Sequence, residues 1–485
     1  MATIGWSFDN SYARLPEVLF TRIAPVPVQN PRLLILNTPL ATRLGLDFSQ
    51  TDTKDLAQLF TGNRLPEGST PLAQAYAGHQ FGHFTLLGDG RAIVLGEQVA
   101  PDGKRFDVQF KGSGRTPYSR NGDGRATLGP MLREFIISEA MHALGVPTTR
   151  TLAVASTGEW VLREQPEPGA ILTRVATSHL RVGTFEYLAA REAFAVMRQL
   201  VDYALDRHDF TRTDDLNPAL ALLTGVIERQ VALVVAWLRV GFIHGVMNTD
   251  NVAISGETID YGPCAFMDAY HPATVFSSID HAGRYAFDNQ PPIAQWNCAR
   301  LAEVLQPLLH EDPAHAHDLA MTAVEHFTPL FQGHWLAMMR RKLGLIGEEQ
   351  ADIELFEALL TWMARVAADY TRTFHALAAA TLPASEPLFV DPEFQAWHRR
   401  WRQRAHAIGD PEQRLAMMRQ ANPACIPRNH KVEQALQAAV TSGDLQPTRD
   451  LISALSRPYD DRPELAPYQL PPRLEERVQQ TFCGT

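Results

Sequence analysis

The sequence contains few cysteines, and their spacing excludes a disulfide-rich scaffold. Four occur in 485 residues, Cys264, Cys298, Cys425 and Cys483, and no two of them form a Cys-x-x-Cys pair. A small secreted domain stabilised by disulfides needs a much higher density of cysteine. We therefore expect the first three to be buried thiols, and Cys483, close to the end of the sequence, to be exposed and open to redox chemistry.

The sequence also has fewer positively charged than negatively charged side chains. The chain has 44 Lys and Arg against 54 Asp and Glu, which gives a formal net charge of −10 at pH 7. Binding to nucleic-acid phosphates needs a clustered positive surface, so we expect no nucleic-acid partner. The net charge does not exclude a local basic groove. The 45% hydrophobic and 20% charged content is that of an ordinary globular protein.

Long apolar runs are missing as well. A membrane-spanning helix needs roughly 20 apolar residues, whereas the run from Val231 to Leu238 is ended by Arg239. The N-terminal segment MATIGWSFDNSY has no basic region and already carries Asp9, which argues against a secretion or import signal. We therefore expect a cytoplasmic protein with no membrane span.

The residues that are present indicate a strand-rich first part and a helix-rich second part. RAIVLGEQV and RFDVQFK alternate in polarity on either side of the turn at Pro101 to Gly103, which predicts a β-hairpin. PMLREFIISEAMHALG is typical of a helix, and TLAVAS and EWVLREQ are predicted to form a second hairpin. Long helices are expected after Thr184, and the proline-rich segment RPYDDRPELAPYQLPPR is expected to be extended.

The strongest chemical motif is HGVMNTDN followed by IDYG. It covers His244 to Asn251 and Asp260 to Gly262. An amide and two carboxylates close together in loops can hold Mg²⁺, which prefers oxygen ligands. The same residues also fit Asx-turns and helix caps that bind nothing.

Three motifs upstream carry residue types that hold phosphates. LGDGRA places Gly88 and Gly90 at a turn between strands, where the missing Cβ atoms let the backbone approach a phosphate. Lys111 ends an alternating strand, and Glu134 on the next helix could pair with it. Taken singly, each also fits a plain hairpin turn, a solvated lysine or a solvated helix-face charge.

The order of these parts along the chain resembles a protein kinase. The resemblance implies an α+β, kinase-like fold of two lobes, with a strand-rich N-lobe at 71–183 and a helical C-lobe carrying the catalytic and metal-binding loops at 184–381. An N-terminal extension, 1–70, and a C-terminal extension, 382–485, flank them. One position departs from the kinase pattern: Val246 stands where the catalytic base is expected, and valine cannot accept a proton.

Longer segments carry a closer resemblance. They are YAGHQFGHFTLLGDGRAI, DVQFKGSGRTPYSRNGDGRA, TRVATSHLRVGTFEY, HGVMNTDN, DYGPCAFMDAYHP and GRYAFDNQPPIAQWN. They resemble the selenoprotein O family, also labelled YdiU, over nearly the whole chain. The resemblance implies a pseudokinase that binds ATP reversed, with its α-phosphate facing the acceptor, and transfers AMP to a protein Ser, Thr or Tyr hydroxyl. It also implies Mg²⁺ or Mn²⁺ as cofactor and leaves UMP transfer from UTP open.

The resemblance assigns roles to individual residues. The implied nucleotide-binding residues are Gly88, Gly90, Arg91, Lys111, Asp123, Gly124, Glu134, Arg174, Arg181 and Asp260. Asn251 and Asp260 are the implied metal ligands, and Asp250 is the implied proton acceptor. Arg174 and Arg181, seven apart, would share one side of a helix if helical, and guanidinium groups suit a polyphosphate, although two surface arginines would give the same spacing.

Two other functions fit the same residues. One is a kinase that acts on a protein or small molecule with Asp250 as its base, and the other is a nucleotide-binding scaffold without catalysis. We expect ATP and hydroxyl-bearing proteins to be the partners of the adenylyltransferase.

Two features fit the resemblance less well. Bacterial relatives carry a cysteine after DYG that can bridge to one near the C-terminus, but here Phe276 and Ser277 stand at that place, and Cys264 is a weak substitute. His79 and His83, four apart, could share a helix face as zinc ligands sometimes do. Because no third ligand is evident nearby, we expect a structural role for both.

Overall fold

The computed structural model describes residues 4–212, 216–379, 382, 387–406 and 410–482. Within these residues the chain is α+β. The strands are β1 (Phe20–Arg22), β2 (Arg32–Leu36), β3 (Leu72–Gln74), β4 (Ala77–Gln80), β5 (His83–Leu86), β6 (Ala92–Val99), β7 (Arg105–Lys111), β8 (Ala126–Thr127), β9 (Arg150–Leu162), β10 (Pro166–Ala176), β11 (Phe242–Ile243) and β12 (Ala265–Phe266).

Most of the α-helices follow the strands, as the sequence predicted. They are α1 (Thr38–Arg43), α2 (Thr53–Phe60), α3 (Leu128–Ala143), α4 (Val182–Ala189), α5 (Phe194–Arg207), α6 (Pro218–Val240), α7 (Gln290–Leu309), α8 (Pro313–Glu325), α9 (Phe327–Leu343), α10 (Asp352–Val366), α11 (Tyr370–Leu377), α12 (Pro392–His406), α13 (Pro411–Ala421), α14 (Asn429–Ser442), α15 (Gln446–Leu455) and α16 (Ala466–Gln469).

One eight-stranded sheet organises the first part of the chain. Its order is β1-β3-β6-β7-β10-β9-β2, with β8 paired to β10. These pairings are antiparallel. The first predicted hairpin is confirmed as β6 and β7, in which Ala92 lies opposite Lys111. Lys111 therefore ends a central strand whose backbone is held on both sides.

Both faces of this sheet are covered. Successive side chains on a strand point to opposite faces, so Ile171 packs in a cluster with Phe60 of α2, while Leu172 packs in a second cluster with Leu132 of α3. The second cluster continues into the helical part of the chain. Residues 38–60 thus cover the outer face, and α3 joins the sheet to the helices.

The second predicted hairpin is wrong. TLAVAS and the start of EWVLREQ lie on the single strand β9, which pairs with β10 along its length. Ser156 lies opposite Ala170 and Trp160 lies opposite Pro168. An advance of four residues along β9 therefore corresponds to an advance of only two residues along β10. Gly158 takes up the extra residues with φ of +71°. The turn-like letters between the two segments form a bulge and do not reverse the chain.

Helix α6 lies at the centre of the helical part. The Asn217 side chain accepts hydrogen bonds from the backbone N–H groups of Ala219 and Leu220, and Gly241 ends the helix at φ of +73°. By length and composition this helix could cross a membrane, but 61% of its most apolar window is buried inside the protein, as in a core helix.

The proline-rich tail segment is not fully extended as expected. It contains a 3₁₀ turn, Pro463–Leu465, followed by the short helix α16. Pro463 and Pro467 stand in first-turn positions, where no N–H is needed, so proline starts these turns instead of preventing them.

The cysteine expectations are confirmed where they can be examined. Cys264, Cys298 and Cys425 are buried, and burial raises the pKa of Cys298 to about 12. Cys483 lies outside the described residues. The segment with Ser277 instead makes a backbone bridge to Thr481 of the C-terminal tail.

The two histidines do not share a helix face. His79 and His83 lie on β4 and β5 of a separate two-stranded hairpin, where His79 is opposite Phe84. His79 Nδ1 lies 2.6 Å from Glu186 Oε1, which agrees with a structural role. Among the described residues, no three His, Cys, Asp or Glu side chains form a candidate metal centre.

Candidate active site

A cavity of about 860 Å³ lies between the large sheet and the helical part of the chain. Eleven of the twelve predicted site residues line it: Gly88, Gly90, Arg91, Lys111, Asp123, Gly124, Arg174, Arg181, Asp250, Asn251 and Asp260. Glu134 is the exception, because it is buried behind Lys111. Residues from distant parts of the sequence therefore meet at one place.

The cavity is positive although the protein is acidic. Its cationic residues are Arg91, Lys111, Arg120, Arg125, Arg163, Arg174 and Arg181, and its carboxylates are Asp89, Asp123, Asp250 and Asp260. Seven cations against four carboxylates, in a chain of net charge −10, concentrate positive potential in this cavity. Such a lining suits a polyanion such as a nucleotide triphosphate.

Lys111 is fixed by two carboxylates. Its Nζ donates to Glu134 Oε2 at 2.6 Å and to Asp260 Oδ1 at 2.5 Å. The Lys111 and Glu134 side chains are buried, so this ammonium stays at the end of β7 with its donors directed at acidic groups. The pairing of Lys111 with Glu134, which the resemblance implies, is present.

Arg174 extends the same network from β10. Its Nη1 donates to Asp260 Oδ1 at 2.7 Å and to Glu134 Oε1 at 3.3 Å, and its Nη2 donates to Gln109 Oε1 at 2.6 Å. Two carboxylates therefore neutralise two cations in the interior. Burying such charges is tolerable because each has a partner.

The two arginines, Arg174 and Arg181, do not lie on one helix. Arg174 lies on a strand, and Arg181 precedes the first turn of α4. The chain turns between strand and helix, which brings both guanidinium groups to one cavity. Arg181 lies 3.5 Å from Asp89 Oδ1, its guanidinium stacks 4.2 Å from the Tyr76 ring centroid, and its buried Nε makes no hydrogen bond among the described residues.

Asp260 has an unusual backbone conformation and a strongly lowered pKa. Its φ of +62° is in the left-handed region, which is uncommon for a residue other than glycine and is often found at functional sites. Burial raises the pKa of this carboxyl, but the charges of Lys111, Arg174 and Arg181 outweigh it and hold the pKa well below its usual value. Asp260 is therefore ionised at neutral pH.

Asn251 and Asp260 fit a hard cation. The Asn251 Nδ2 donates to the Val246 carbonyl at 3.1 Å, so its Oδ1 is turned away from that bond. The Asp260 Oδ1 takes both cationic donors, and neither its Oδ2 nor the Asn251 Oδ1 accepts a hydrogen bond among the described residues. One amide and one carboxylate oxygen, with phosphate oxygens, make the kind of ligand set that Mg²⁺ uses.

Asp250 contrasts with Asp260. It lies in the 3₁₀ turn Thr249–Asn251, and its Oδ1 is buried without a hydrogen-bond partner among the described residues. Burial raises the pKa of Asp250 to about 7, against the opposing charge of Arg181. A carboxyl group with a pKa near neutrality can accept a proton in this range.

The turn that carries Asp250 is anchored by residues that the sequence reasoning missed. Glu186 of α4 accepts from Thr249 Oγ1 at 2.6 Å, and Asn248 Oδ1 accepts from the backbone N–H of Phe81 at 2.9 Å. Asn248 was visible inside HGVMNTDN, but Glu186 had no signal, because its partner Thr249 is 63 residues away along the chain.

Gly78 of β4 was missed as well. A Cβ at this position would overlap the Asp250 carboxylate. The hairpin of β4 and β5 therefore packs directly against Asp250 because residue 78 has no side chain. The only sequence signal is a glycine at a strand position, which suggests close approach of another group.

Two of the predicted nucleotide-binding glycines, Gly88 and Gly124, also allow close packing between loops. A Cβ on Gly88, whose φ is +142°, would overlap the Tyr118 ring, and one on Gly124 would overlap the Gly114 backbone. Asp123 is held by Arg163 at 2.9 Å. The loops at 88–91 and 114–125 are thus packed together at the wall of the cavity.

The chain is similar to known proteins over nearly its whole length. Residues 3–456 match the model of a family described as protein adenylyltransferase SelO. The chain is similar to proteins named protein nucleotidyltransferase YdiU: 59% identical over 483 residues to that of Nitrosococcus oceani, 58% over 485 to that of Alkaliphilus metalliredigens, and 57% over 482 to that of Syntrophotalea carbinolica. Each comparison covers 99% of this chain and 98% of the relative. The chain therefore belongs to the SelO family of protein adenylyltransferases.

Proposed function

We propose that this protein transfers AMP from ATP to the hydroxyl group of a Ser, Thr or Tyr side chain in other proteins. One observation carries the proposal: the cations Lys111, Arg174 and Arg181, the oxygen pair of Asn251 and Asp260, and the carboxyl of Asp250 line a single cavity. These are groups for a polyphosphate, a divalent cation and a proton. Family membership supports the same activity.

In this proposal the cationic residues bind the leaving pyrophosphate. Lys111, Arg174 and Arg181 hold the outer phosphates, where guanidinium forks and an ammonium suit phosphate oxygens. Asn251 and Asp260 hold Mg²⁺, which supplies charge neutralisation on the phosphates, and Mn²⁺ suits the same oxygen ligands. The remaining nucleotide contacts are assigned to Gly88, Gly90, Arg91, Asp123 and Gly124.

Asp250 is assigned the role of proton acceptor. The acceptor oxygen forms a bond to the α-phosphorus of ATP, the bond between that phosphorus and the oxygen bridging to the β-phosphate breaks, and pyrophosphate leaves. The hydroxyl proton passes to Asp250. Because protein groups and phosphates are held in place beforehand, alignment and charge neutralisation supply most of the rate.

Labelling distinguishes this activity from the two alternatives. The protein is incubated with acceptor proteins and with ATP labelled in either the α- or the γ-phosphate, and acid-stable label on protein is counted. We expect the α label alone to be transferred by the wild type and none by Lys111→Met. Transfer of the γ label would instead identify a kinase, and ATP-dependent thermal stabilisation without transfer would identify a scaffold.

Finer features belong to the same proposal. We assign the kinase-like N-lobe to 71–183, the C-lobe to 184–381, and the extensions to 1–70 and 382–485. The protein is proposed to be cytoplasmic, to use ATP and also UTP as nucleotide donors, and to have neither a nucleic acid nor a membrane as partner. Mass spectrometry of modified acceptors distinguishes an AMP from a UMP adduct and identifies the modified side chain.

A further inference from the structure

A second cavity, of about 710 Å³, lies at the other end of the β6–β7 hairpin. Lys111 is at the active-site end of β7 and Arg105 is at the second cavity, so the strand separates the two by roughly 20 Å at about 3.4 Å per residue. The two cavities share no lining residue among those the structure describes. The second cavity is therefore a separate place on the molecule.

Its wall contains five cationic side chains. They are Arg43, Lys104, Arg105, Arg207 and Arg229. Arg105 pairs with Asp9 and Glu97, and Arg207 pairs with Asp107 at 2.8 Å. In contrast, Arg43, Lys104 and Arg229 have no carboxylate within 4 Å in the described part of the chain.

The wall also contains four carboxylates, and none of them forms an ion pair within 4 Å with these three cations in the described residues, although Asp209 and Glu257 attract Arg229 over a longer distance. The four are Asp102, Asp206, Asp209 and Glu257. Asp206 is bound by Arg212 at 2.9 Å. Glu257 Oε2 accepts from the Thr177 backbone N–H at 3.0 Å, from the Thr177 hydroxyl at 2.6 Å and from the Ser255 hydroxyl at 3.1 Å. Burial raises the pKa of Glu257 to about 7, so near neutrality part of its negative charge is missing.

One arginine of the wall, Arg207, has a donor without a partner in the described residues. The Arg207 side chain is 4% exposed, and its buried Nε has no hydrogen-bond partner in the described structure. Arg229 donates to the His208 carbonyl at 2.6 Å, and its guanidinium lies 3.9 Å from the Phe210 ring centroid. Leaving a buried donor unsatisfied costs stability, so a polar ligand that accepts its hydrogen bond would be favoured.

We infer that this second cavity binds a small molecule that carries phosphate groups. Guanidinium groups recognise phosphate through paired hydrogen bonds, and unpaired cations in one concave wall attract polyanions. The volume is within the range of small-molecule sites. Nothing in the adenylyl transfer proposed above uses these residues, so the site would be additional to the catalytic one.

Pyrophosphate is a suitable probe once the active site is filled. The full-length protein is saturated with Mg²⁺ and α,β-methylene ATP, whose α–β linkage cannot be cleaved, and is then titrated calorimetrically with pyrophosphate. We expect one further saturable site. In Arg43→Gln/Lys104→Gln its affinity should fall at least about tenfold, because two of the three unpaired cations are gone.

A matched variant controls for loss of positive charge alone. Arg341→Gln/Arg399→Gln removes two exposed arginines from α9 and α12, and neither forms an ion pair within 4 Å among the described residues. The inference predicts wild-type pyrophosphate affinity for this control. Absence of a second site, equal binding by Arg43→Gln/Lys104→Gln, or equal weakening in the control would each overturn it.

Discussion

Asp250 and Asp260 line the same cavity but are in opposite electrostatic environments. Asp260 Oδ1 accepts hydrogen bonds from two cations, whereas Asp250 Oδ1 accepts none. Their pKa values move in opposite directions, well below the usual value for Asp260 and to about 7 for Asp250. The comparison teaches that partners, more than burial, decide whether a carboxylate in this cavity stays charged, which suits one for a cation and the other for a proton.

The largest effect is expected at the paired carboxylate. Asp260→Asn removes the negative charge that Lys111 and Arg174 share and one of the two proposed metal ligands. We expect AMP transfer to fall by at least about 10³-fold and the free energy of unfolding of the metal-free protein to fall by about 2–3 kcal/mol at pH 7. Label transfer and chemical denaturation measure the two quantities.

The loss of stability should itself depend on pH. Because the folded pKa of Asp260 is lowered, its carboxylate stabilises the fold above the unfolded pKa near 3.8, and this contribution is lost as the pH falls. The difference between wild type and Asp260→Asn should therefore shrink toward low pH. A variant as stable as the wild type at pH 7 would contradict the proposed charge pairing.

Substitution of Asp250 should stabilise the fold, whereas substitution of Asp260 should destabilise it. Asp250→Asn removes the proton acceptor, and we expect AMP transfer to fall about 10²- to 10⁴-fold. The folded pKa of about 7 lies above the unfolded value of 3.8, so ionisation of Asp250 destabilises the fold progressively as the pH rises through this interval.

In the metal-free protein Asp250→Asn should therefore be more stable than the wild type by about 2 kcal/mol at pH 8 and equal to it near pH 4. Thermal denaturation at both pH values measures this. Destabilisation at pH 8 would show that Asp250 has a favourable partner, and the contrast with Asp260 would then be lost.

Gly78→Ala tests whether packing keeps Asp250 in place. The added Cβ would overlap the Asp250 carboxylate, so the turn or the β4–β5 hairpin must shift. We expect AMP transfer to fall about 10- to 100-fold, with a loss of about 1–3 kcal/mol of stability. Gly333→Ala is the matched control, since nothing lies within 4 Å of its Cβ position. Equal activity of the two variants would argue against contact between Gly78 and Asp250.

The predictable and unpredictable parts of the site differ in the range of their contacts. The β6–β7 hairpin and α3 follow from local alternation and helical spacing, and they place Lys111 beside Glu134. The contact between Gly78 and Asp250 joins residues 172 positions apart and leaves no local pattern. Glu186 is likewise an ordinary helix residue in the sequence, and its function depends on which turn packs against α4.

Errors in the prediction of local structure have a related cause. Gly158 follows Ser156 and Thr157 in letters typical of a turn, but β10 is long enough to pair on both sides of it, so tertiary pairing converts the turn into a bulge. Arg174 and Arg181 have helical spacing by coincidence, because the strand ends and the helix begins between them. The second cavity was missed because its five cations come from four separate parts of the chain.

Substitution of Glu257 is expected to have the smallest effect, and it extends the comparison of Asp250 with Asp260 to a carboxylate outside the active site. Like Asp250, Glu257 has a pKa raised by burial to about 7, here from 4.5, but it has three hydrogen-bond donors. Between pH 4.5 and 7 the folded protein holds the proton more tightly than the unfolded chain, so the free energy of unfolding falls as the pH rises through this interval.

Glu257→Gln removes this pH dependence. The variant should be more stable than the wild type by about 1–2 kcal/mol at pH 8, and equal to it near pH 4. The exposed Glu164→Gln serves as control and should leave the melting temperature unchanged at both pH values. If Glu257→Gln is instead destabilised at pH 8, the three donors outweigh burial, and partners decide the charge state of this carboxylate as they do for Asp260.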